Sequence, residues 1–277
     1  MRPTILAIAV LLLVPSRGWT GVESPWASGH TSRARLVAGT VERPGKPAAV
    51  LAGVQIEMPP GWKTYWRNPG DGGGVPPTFD WSGSENLARA TVLYPAPHRL
   101  SDKGGDTIGY KDAVLFPVML EPSDGARPIS LRLAFAYGVC RDICIPAEAE
   151  MTLLVPPEGG GAAPEIGKAL EQVPRADQER RARDPKLVRS AVERGEAKPR
   201  LALEAEFPGG TSAAQAFVEG PDGTSLPLPE KATGAAGDQA RFSVDLSEAD
   251  LGELQGATLV VTLVGAEGQS ETRVRID

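Results

Sequence analysis

Cys140 and Cys144 are the only two cysteines among the 277 residues, in Tyr137-Gly138-Val139-Cys140-Arg141-Asp142-Ile143-Cys144-Ile145-Pro146. Two thiols this close can form a disulfide, exchange it with another protein, or hold a soft ion such as Cu(I). A three-residue spacer lets the sulfurs meet only where the backbone bends, so the pair calls for a turn or tight hairpin, not one continuous strand. As a staple the bridge is weak: closing a loop of about five residues contributes roughly 2 kcal/mol in the chain-entropy model. A chain of this length buries a sizeable core without such help, and two cysteines are not the pattern of a small disulfide-framed domain. Spacing alone leaves a structural bridge and a redox pair both open, with metal binding as the lesser choice. Arg141 would lower a neighbouring thiol pKa and Asp142 would raise it, so which sulfur is the nucleophile stays undetermined.

The N-terminus says where such thiols would work. Met1-Arg2-Pro3 carries a positive charge, and Ile5-Leu6-Ala7-Ile8-Ala9-Val10-Leu11-Leu12-Leu13-Val14 is unbroken and apolar. That run is too short to span a bilayer and has the length of a signal-peptide core. A signal peptide over 1–20 is expected, cleaved between 16 and 27, followed by a secreted protein whose thiols work outside the cytoplasm. No later segment approaches the ~18 apolar residues of a membrane span, so no stable membrane insertion is expected once the signal is removed. A net charge of −6 and a pI near 5.2 argue against a nucleic-acid partner.

The elements that position the pair read as β. Short strands are expected at 33–39, 48–56, 114–120, 129–137 and 149–155; in the fourth, Ile129, Leu131, Leu133, Phe135 and Tyr137 share one face. The cysteines follow where that strand runs out into a turn. Further strands are expected at 200–207, 214–218, 240–246, 258–264 and 271–276. Ten of the 15 aromatic residues lie between Trp62 and Tyr137, and none between Gly138 and Leu203, so a boundary falls in the aromatic-poor stretch. Pro156-Pro157-Glu158-Gly159-Gly160-Gly161 breaks the chain there, and the charged segment after it, interrupted at Pro174 and Pro185, suits a solvated helical linker. The fold class is therefore mainly β: two immunoglobulin-like antiparallel sandwiches, 30–157 and 199–277, joined by a partly helical charged linker over 158–198.

A second constellation lies in Gly61-Trp62-Lys63-Thr64-Tyr65-Trp66-Arg67-Asn68-Pro69-Gly70-Asp71-Gly72-Gly73-Gly74. Trp62 and Trp66 suit a sandwich core, as do Trp81, Tyr94 and Tyr110. The glycines lack the Lys-Ser/Thr of a phosphate loop. Ser101-Asp102-Lys103-Gly104-Gly105-Asp106 and Gly109-Tyr110-Lys111-Asp112 read as polar surface loop.

In order, Gly61-Trp62-Lys63-Thr64-Tyr65-Trp66-Arg67-Asn68-Pro69-Gly70, Pro95-Ala96-Pro97-His98, Gly109-Tyr110-Lys111-Asp112 and the Tyr137–Pro146 cysteine motif resemble the N-terminal domain family of DsbD-type thiol:disulfide interchange proteins. The pattern is closest to the variant at the front of ScsB-like proteins and covers roughly residues 33–156; the region after Lys198 resembles that variant's second β domain. The resemblance implies a thiol-disulfide oxidoreductase without cofactor, in which Cys140 and Cys144 are the catalytic pair. A membrane-embedded DsbD/CcdA-type donor reduces them, and they reduce a periplasmic thioredoxin-fold disulfide protein. It also places Trp66 and Thr64 on the strand beside the pair and 101–105, with Asp102, at a cap loop. That segment has no aromatic residue here, so Tyr110 is the ring left to shield the cysteines. The spacer is also shorter than in DsbD proper. With neither a transmembrane bundle nor a thioredoxin module in the sequence, the donor is expected to be a separate protein.

Two other readings use the same residues. One is a Cu(I)-binding, copper-tolerance protein with Cys140 and Cys144 as ligands, since a Cys-x-x-x-Cys pair is similar to that of Sco-type chaperones; those carry a histidine downstream, whereas His30 and His98 both precede the pair. The other is a structural two-sandwich interaction module with an incidental disulfide, whose double serine variant would fold and keep its partner.

Overall fold

The computed structural model describes residues 22–276 apart from 30, 71, 103–104, 162, 195–197, 234–236 and 250. The expected signal peptide over 1–20 lies outside the described residues. The first unit contains β1 (Val22–Glu23), β2 (Ala27–Ser28), β3 (Arg33–Arg43), β4 (Lys46–Glu57), β5 (Lys63–Tyr65), β6 (Thr78–Asp80), β7 (Leu87–Val92), β8 (His98–Asp102), β9 (Gly105–Lys111), β10 (Ala113–Pro122), β11 (Ile129–Cys140) and β12 (Cys144–Val155). One sheet runs β1-β3-β4-β10-β7 with β2 on β3, and the facing sheet runs β12-β11-β5-β9-β8 with β6 on β11.

The alternation in the sequence sets how these sheets face. Along β11, Ile129, Leu131, Leu133, Phe135 and Tyr137 are buried while Ser130, Arg132 and Ala134 are exposed, so one face meets the core and the other meets water. Leu36, Val54, Ile56, Phe116 and Val118 of the opposite sheet complete that core. At the end of β11 the alternation stops: Gly138, Val139 and Cys140 are all buried, because other chain segments cover both faces there.

The second unit holds β13 (Arg175–Ala176), β14 (Lys186–Glu193), β15 (Arg200–Glu206), β16 (Gln215–Glu219), β17 (Glu230–Lys231), β18 (Gln239–Asp245), β19 (Thr258–Val264) and β20 (Gln269–Arg275). They form two four-stranded sheets, β13-β20-β19-β16 and β14-β15-β18-β17, closed over Leu203, Phe207, Phe242, Val244, Val261 and Leu263. Pairing is antiparallel except between β13 and β20. The chain is thus mostly β, in antiparallel sheets of the immunoglobulin-like sandwich kind.

The expected linker over 158–198 is corrected in two respects. α1 (Pro164–Glu171) is solvated on one face only: Ile166 is fully buried and, with Ala163, packs on Val37, Val41 and Leu51 of the first sandwich. Residues 186–193 are no linker but strand β14, paired with β15. A register shift between Leu187 and Arg189 disrupts the period-2 pattern that would have marked it. Between them Arg175, 11 % exposed, donates to Glu171 and to the fully buried Asp184 at 2.9 Å each, and Arg181 also donates to Glu171. The charge run is an ion-pair network that fastens the connection.

Candidate functional site

β11 and β12 form a hairpin in which Cys140 and Cys144 are direct cross-strand partners, and the two are disulfide-bonded. The tip holds Arg141, Asp142 and Ile143, with the Arg141 N–H donating to the Ile143 carbonyl at 3.2 Å. The two sulfurs occupy different surroundings. Cys140 is 1 % exposed, whereas Cys144 is exposed. Arg141 and Asp142 pair with each other at 2.9 Å, so their charges offset beside the sulfurs. The Arg141 guanidinium also lies 5.4 Å from the Trp62 ring centre.

β5 supplies the remaining parts. It has three residues because Pro59-Pro60-Gly61 precedes it and Asn68-Pro69-Gly70 follows closely; Gly61 and Gly70 take positive φ, which favours glycine. Lys63 pairs with Cys140, and Thr64 faces Tyr110 on β9. Alternation sends Lys63 and Tyr65 to one face of β5 and Thr64 and Trp66 to the other. Tyr65 is 2 % exposed, and its hydroxyl donates to Cys140 Sγ at 2.9 Å and lies 3.1 Å from Cys144 Sγ. Lys63 is buried as well; its ammonium donates to Thr107 Oγ1 at 2.8 Å and lies 5.8 Å from the Tyr65 ring centre. Gly138 accepts the Thr64 hydroxyl at 2.8 Å and donates to the Val75 carbonyl at 3.1 Å.

The backbone comes close to the Tyr65 ring at two places. A Cβ on Gly74, whose φ is +149°, would come within 2.4 Å of the ring, and one on Gly138 within 3.3 Å of it and 2.9 Å of Val75. The glycines at these two places let the backbone close on the ring. Ile143 at 68 % and Val75 at 43 % are the most exposed large apolar residues near the pair.

Thr64 is thus in contact with the cysteine strand through Gly138. Trp66 is fully buried in the core instead of against the sulfurs, with its ring 5.9 Å from that of Phe217 in the second sandwich. Tyr110 also lies in the core: it packs edge-on against Phe116 at 5.5 Å and donates its hydroxyl to the Pro95 carbonyl at 2.8 Å. Burial pushes its phenol well above the ordinary range. Asp102 ends β8, opposite Gly105; Lys103 and Gly104 of the expected cap segment lie outside the described residues. Tyr65 and Lys63 were missed as neighbours of the pair. A strand of three residues is too short for its two-residue period to mark them, and the more conspicuous Trp66 lies on the opposite face.

A bonded cysteine pair at a hairpin end, with one sulfur buried and one open, defines a β-sandwich able to present a disulfide to another protein. Residues 38–156, which make up most of the cysteine-bearing sandwich, match the family described as thiol:disulfide interchange protein DsbD, N-terminal. The chain is also similar to the crystal structure of the N-terminal periplasmic domain of ScsB from Proteus mirabilis, with a TM-score of 0.69 and 20 % identity, over 93 % of this chain and 99 % of that one. At that identity the likeness is one of fold, and it extends across both sandwiches. No curated protein matches the chain. No helix among the described residues is long and apolar enough to cross a membrane.

Proposed function

We propose that this protein is a periplasmic thiol–disulfide relay that passes electrons through Cys140 and Cys144, from a membrane-embedded reductant to an oxidised thioredoxin-fold partner. The family match and the bonded pair support a thiol–disulfide interchange role. The single observation that carries the finer reading is the contrast between the open Cys144 and the buried Cys140, with the Tyr65 hydroxyl within reach of both.

In the reduced protein, the Cys144 thiolate attacks one sulfur of the partner's disulfide. A mixed disulfide forms and the partner's other sulfur leaves as a thiolate, which takes up a proton. Cys140 then loses its proton and attacks Cys144 Sγ, which releases the partner's second thiolate and restores the internal disulfide. Two electrons pass to the partner. A dithiol on the membrane reductant repeats the exchange in the other direction, is itself oxidised to a disulfide, and resets the pair. Tyr65 donates to the sulfur on which negative charge gathers, and a hydrogen bond to the charged form favours it.

The test uses the reduced full chain mixed with an oxidised thioredoxin-fold protein. The wild type should reduce it, Cys140→Ser should stop at a trapped mixed disulfide through Cys144, and Cys144→Ser should be inactive. Unimpaired transfer by either serine variant would overturn the relay.

A further inference from the structure

The three residues that follow Tyr65 all reach into the second sandwich. The Trp66 ring meets Phe217. Arg67 lies over Trp66, its guanidinium carbon 4.3 Å from the ring centre. It donates from Nε to Glu219 Oε1 at 2.9 Å, and from Nη2 to Glu219 Oε2 at 2.5 Å and Glu271 Oε2 at 2.6 Å. Asn68 donates from Nδ2 to the Gly223 and Thr224 carbonyls at 3.2 and 3.3 Å, and accepts from Ser225 Oγ at 2.7 Å. Glu219 ends β16 and Glu271 lies on β20, so both carboxylates belong to the second sandwich.

Glu219 is 7 % exposed and Arg67 29 %. Burial works against the Arg67 charge, but the hydrogen bonds and charges of Glu219 and Glu271 outweigh it and raise the guanidinium pKa. A bidentate pair in such a place fixes geometry more than it adds stability.

This clamp begins one residue after Tyr65. β5 is three residues long and pairs with β11 only at Lys63, while β9 pairs with all three of its residues and accepts the Trp66 N–H at the Ile108 carbonyl at 3.0 Å, so on the cysteine side the place of Tyr65 is set by β9 together with whatever holds residues 66–68. Asn68 also accepts from the Gly70 N–H at 3.0 Å, tying down the start of the loop whose Gly74 closes on the Tyr65 ring. Residues 66–68 therefore touch the Tyr65 ring by two routes, along the chain and through the loop that carries Gly74.

We propose that the second sandwich is a positioning element of the redox site: through Arg67–Glu219–Glu271 and Asn68–Ser225 it holds the Tyr65 hydroxyl at the sulfurs and so sets the balance between disulfide and dithiol. Glu219, Glu271 and Ser225 are positioning residues for a pair in the other domain. The biological meaning rests on the relay reading, but the coupling is a property of the pair itself and is measured without a partner.

The experiment equilibrates the full chain with glutathione buffers and traps the cysteines by alkylation, for Glu219→Gln and Ser225→Ala, each with Tyr65 and with Tyr65→Phe. Ser225→Ala removes one hydroxyl and no charge, which guards against a Glu219→Gln chain that does not fold. With Tyr65 present, each substitution should change the disulfide–dithiol equilibrium constant by about threefold or more, and with Tyr65→Phe the change should largely vanish, since residues that act through a shared partner are not additive. A smaller change with Tyr65, or an equal change in both backgrounds, overturns the proposal. Coupling in a chain that reduces no thioredoxin-fold protein would leave this inference standing and remove the relay; reduction without coupling would do the reverse.

Discussion

The Tyr65 hydroxyl donates to Cys140 Sγ at 2.9 Å, across the contact of a three-residue strand with the end of β11. A buried phenol beside a buried sulfur is a fixed donor aimed at the atom that gains charge when the disulfide opens. It favours the reduced, ionised pair over a pair that must find its donor in water.

Tyr65→Phe removes that donor and little else. A hydrogen bond to an ionised group is worth about 1.5–3 kcal/mol, and about 1.4 kcal/mol corresponds to roughly 30 mV for a two-electron couple. The variant should therefore have a midpoint potential at least ~30 mV more negative. The alkylation pH profile of Cys140 should move to higher pH. Glutathione titration and alkylation kinetics check the two effects.

The exposure contrast predicts unequal thiols. With Cys140→Ser the remaining Cys144 thiol is open, and with Cys144→Ser the remaining Cys140 thiol is buried. Small alkylating reagents should modify the first at least about tenfold faster, because thiol exchange and alkylation require access as well as ionisation. Rates measured on the two folded single variants at one pH decide this.

Gly74→Ala tests the packing over Tyr65. The position has φ +149°, and the new methyl would lie 2.4 Å from the ring. Backbone strain of this kind costs about 1–3 kcal/mol, and the ring must also move. The variant should unfold at lower urea, and its cysteine potential should shift toward that of Tyr65→Phe. Gly73→Ala, where nothing lies within 4 Å but φ is +75°, should destabilise without moving the potential.

Glu171 carries the pH dependence of the connecting segment. The Arg181 hydrogen bond, opposed by some burial and aided by the charges of Arg181, Arg175 and Arg183, lowers its pKa. A carboxylate with a folded value below its unfolded one stabilises the fold above the unfolded value and loses that contribution as pH falls through the folded one. The group is 44 % exposed, so the effect is small, about 0.5 kcal/mol for a screened pair. Glu171→Gln should lower stability by that amount at pH 7, and the difference from wild type should close in acid. Urea unfolding across pH reads it.

How much of this was legible follows from where periodicity is clean. The period-2 pattern of Ile129 to Tyr137 reads as a strand with one wet face, and the cysteines after it read as a hairpin end. Both features depend on local chemistry alone. Tyr65 was not legible as the neighbour of the sulfurs, because a strand of three residues has too few positions to show which face meets which partner, and the large Trp66 draws attention to the opposite face. β14 was hidden by Lys186, Arg189 and Glu193 and by its register shift. The fastening of Trp66, Arg67 and Asn68 to the second sandwich is a contact between residues more than 150 positions apart, which no local pattern encodes.

The relay requires that Cys140 and Cys144 form an exchangeable pair. The most direct measurement is the midpoint potential of the full chain, equilibrated in glutathione buffers and read by alkylation and mass spectrometry. A value between about −180 and −270 mV, the range of disulfide exchange proteins, is expected. A value below about −300 mV would mark a structural bridge and contradict the relay.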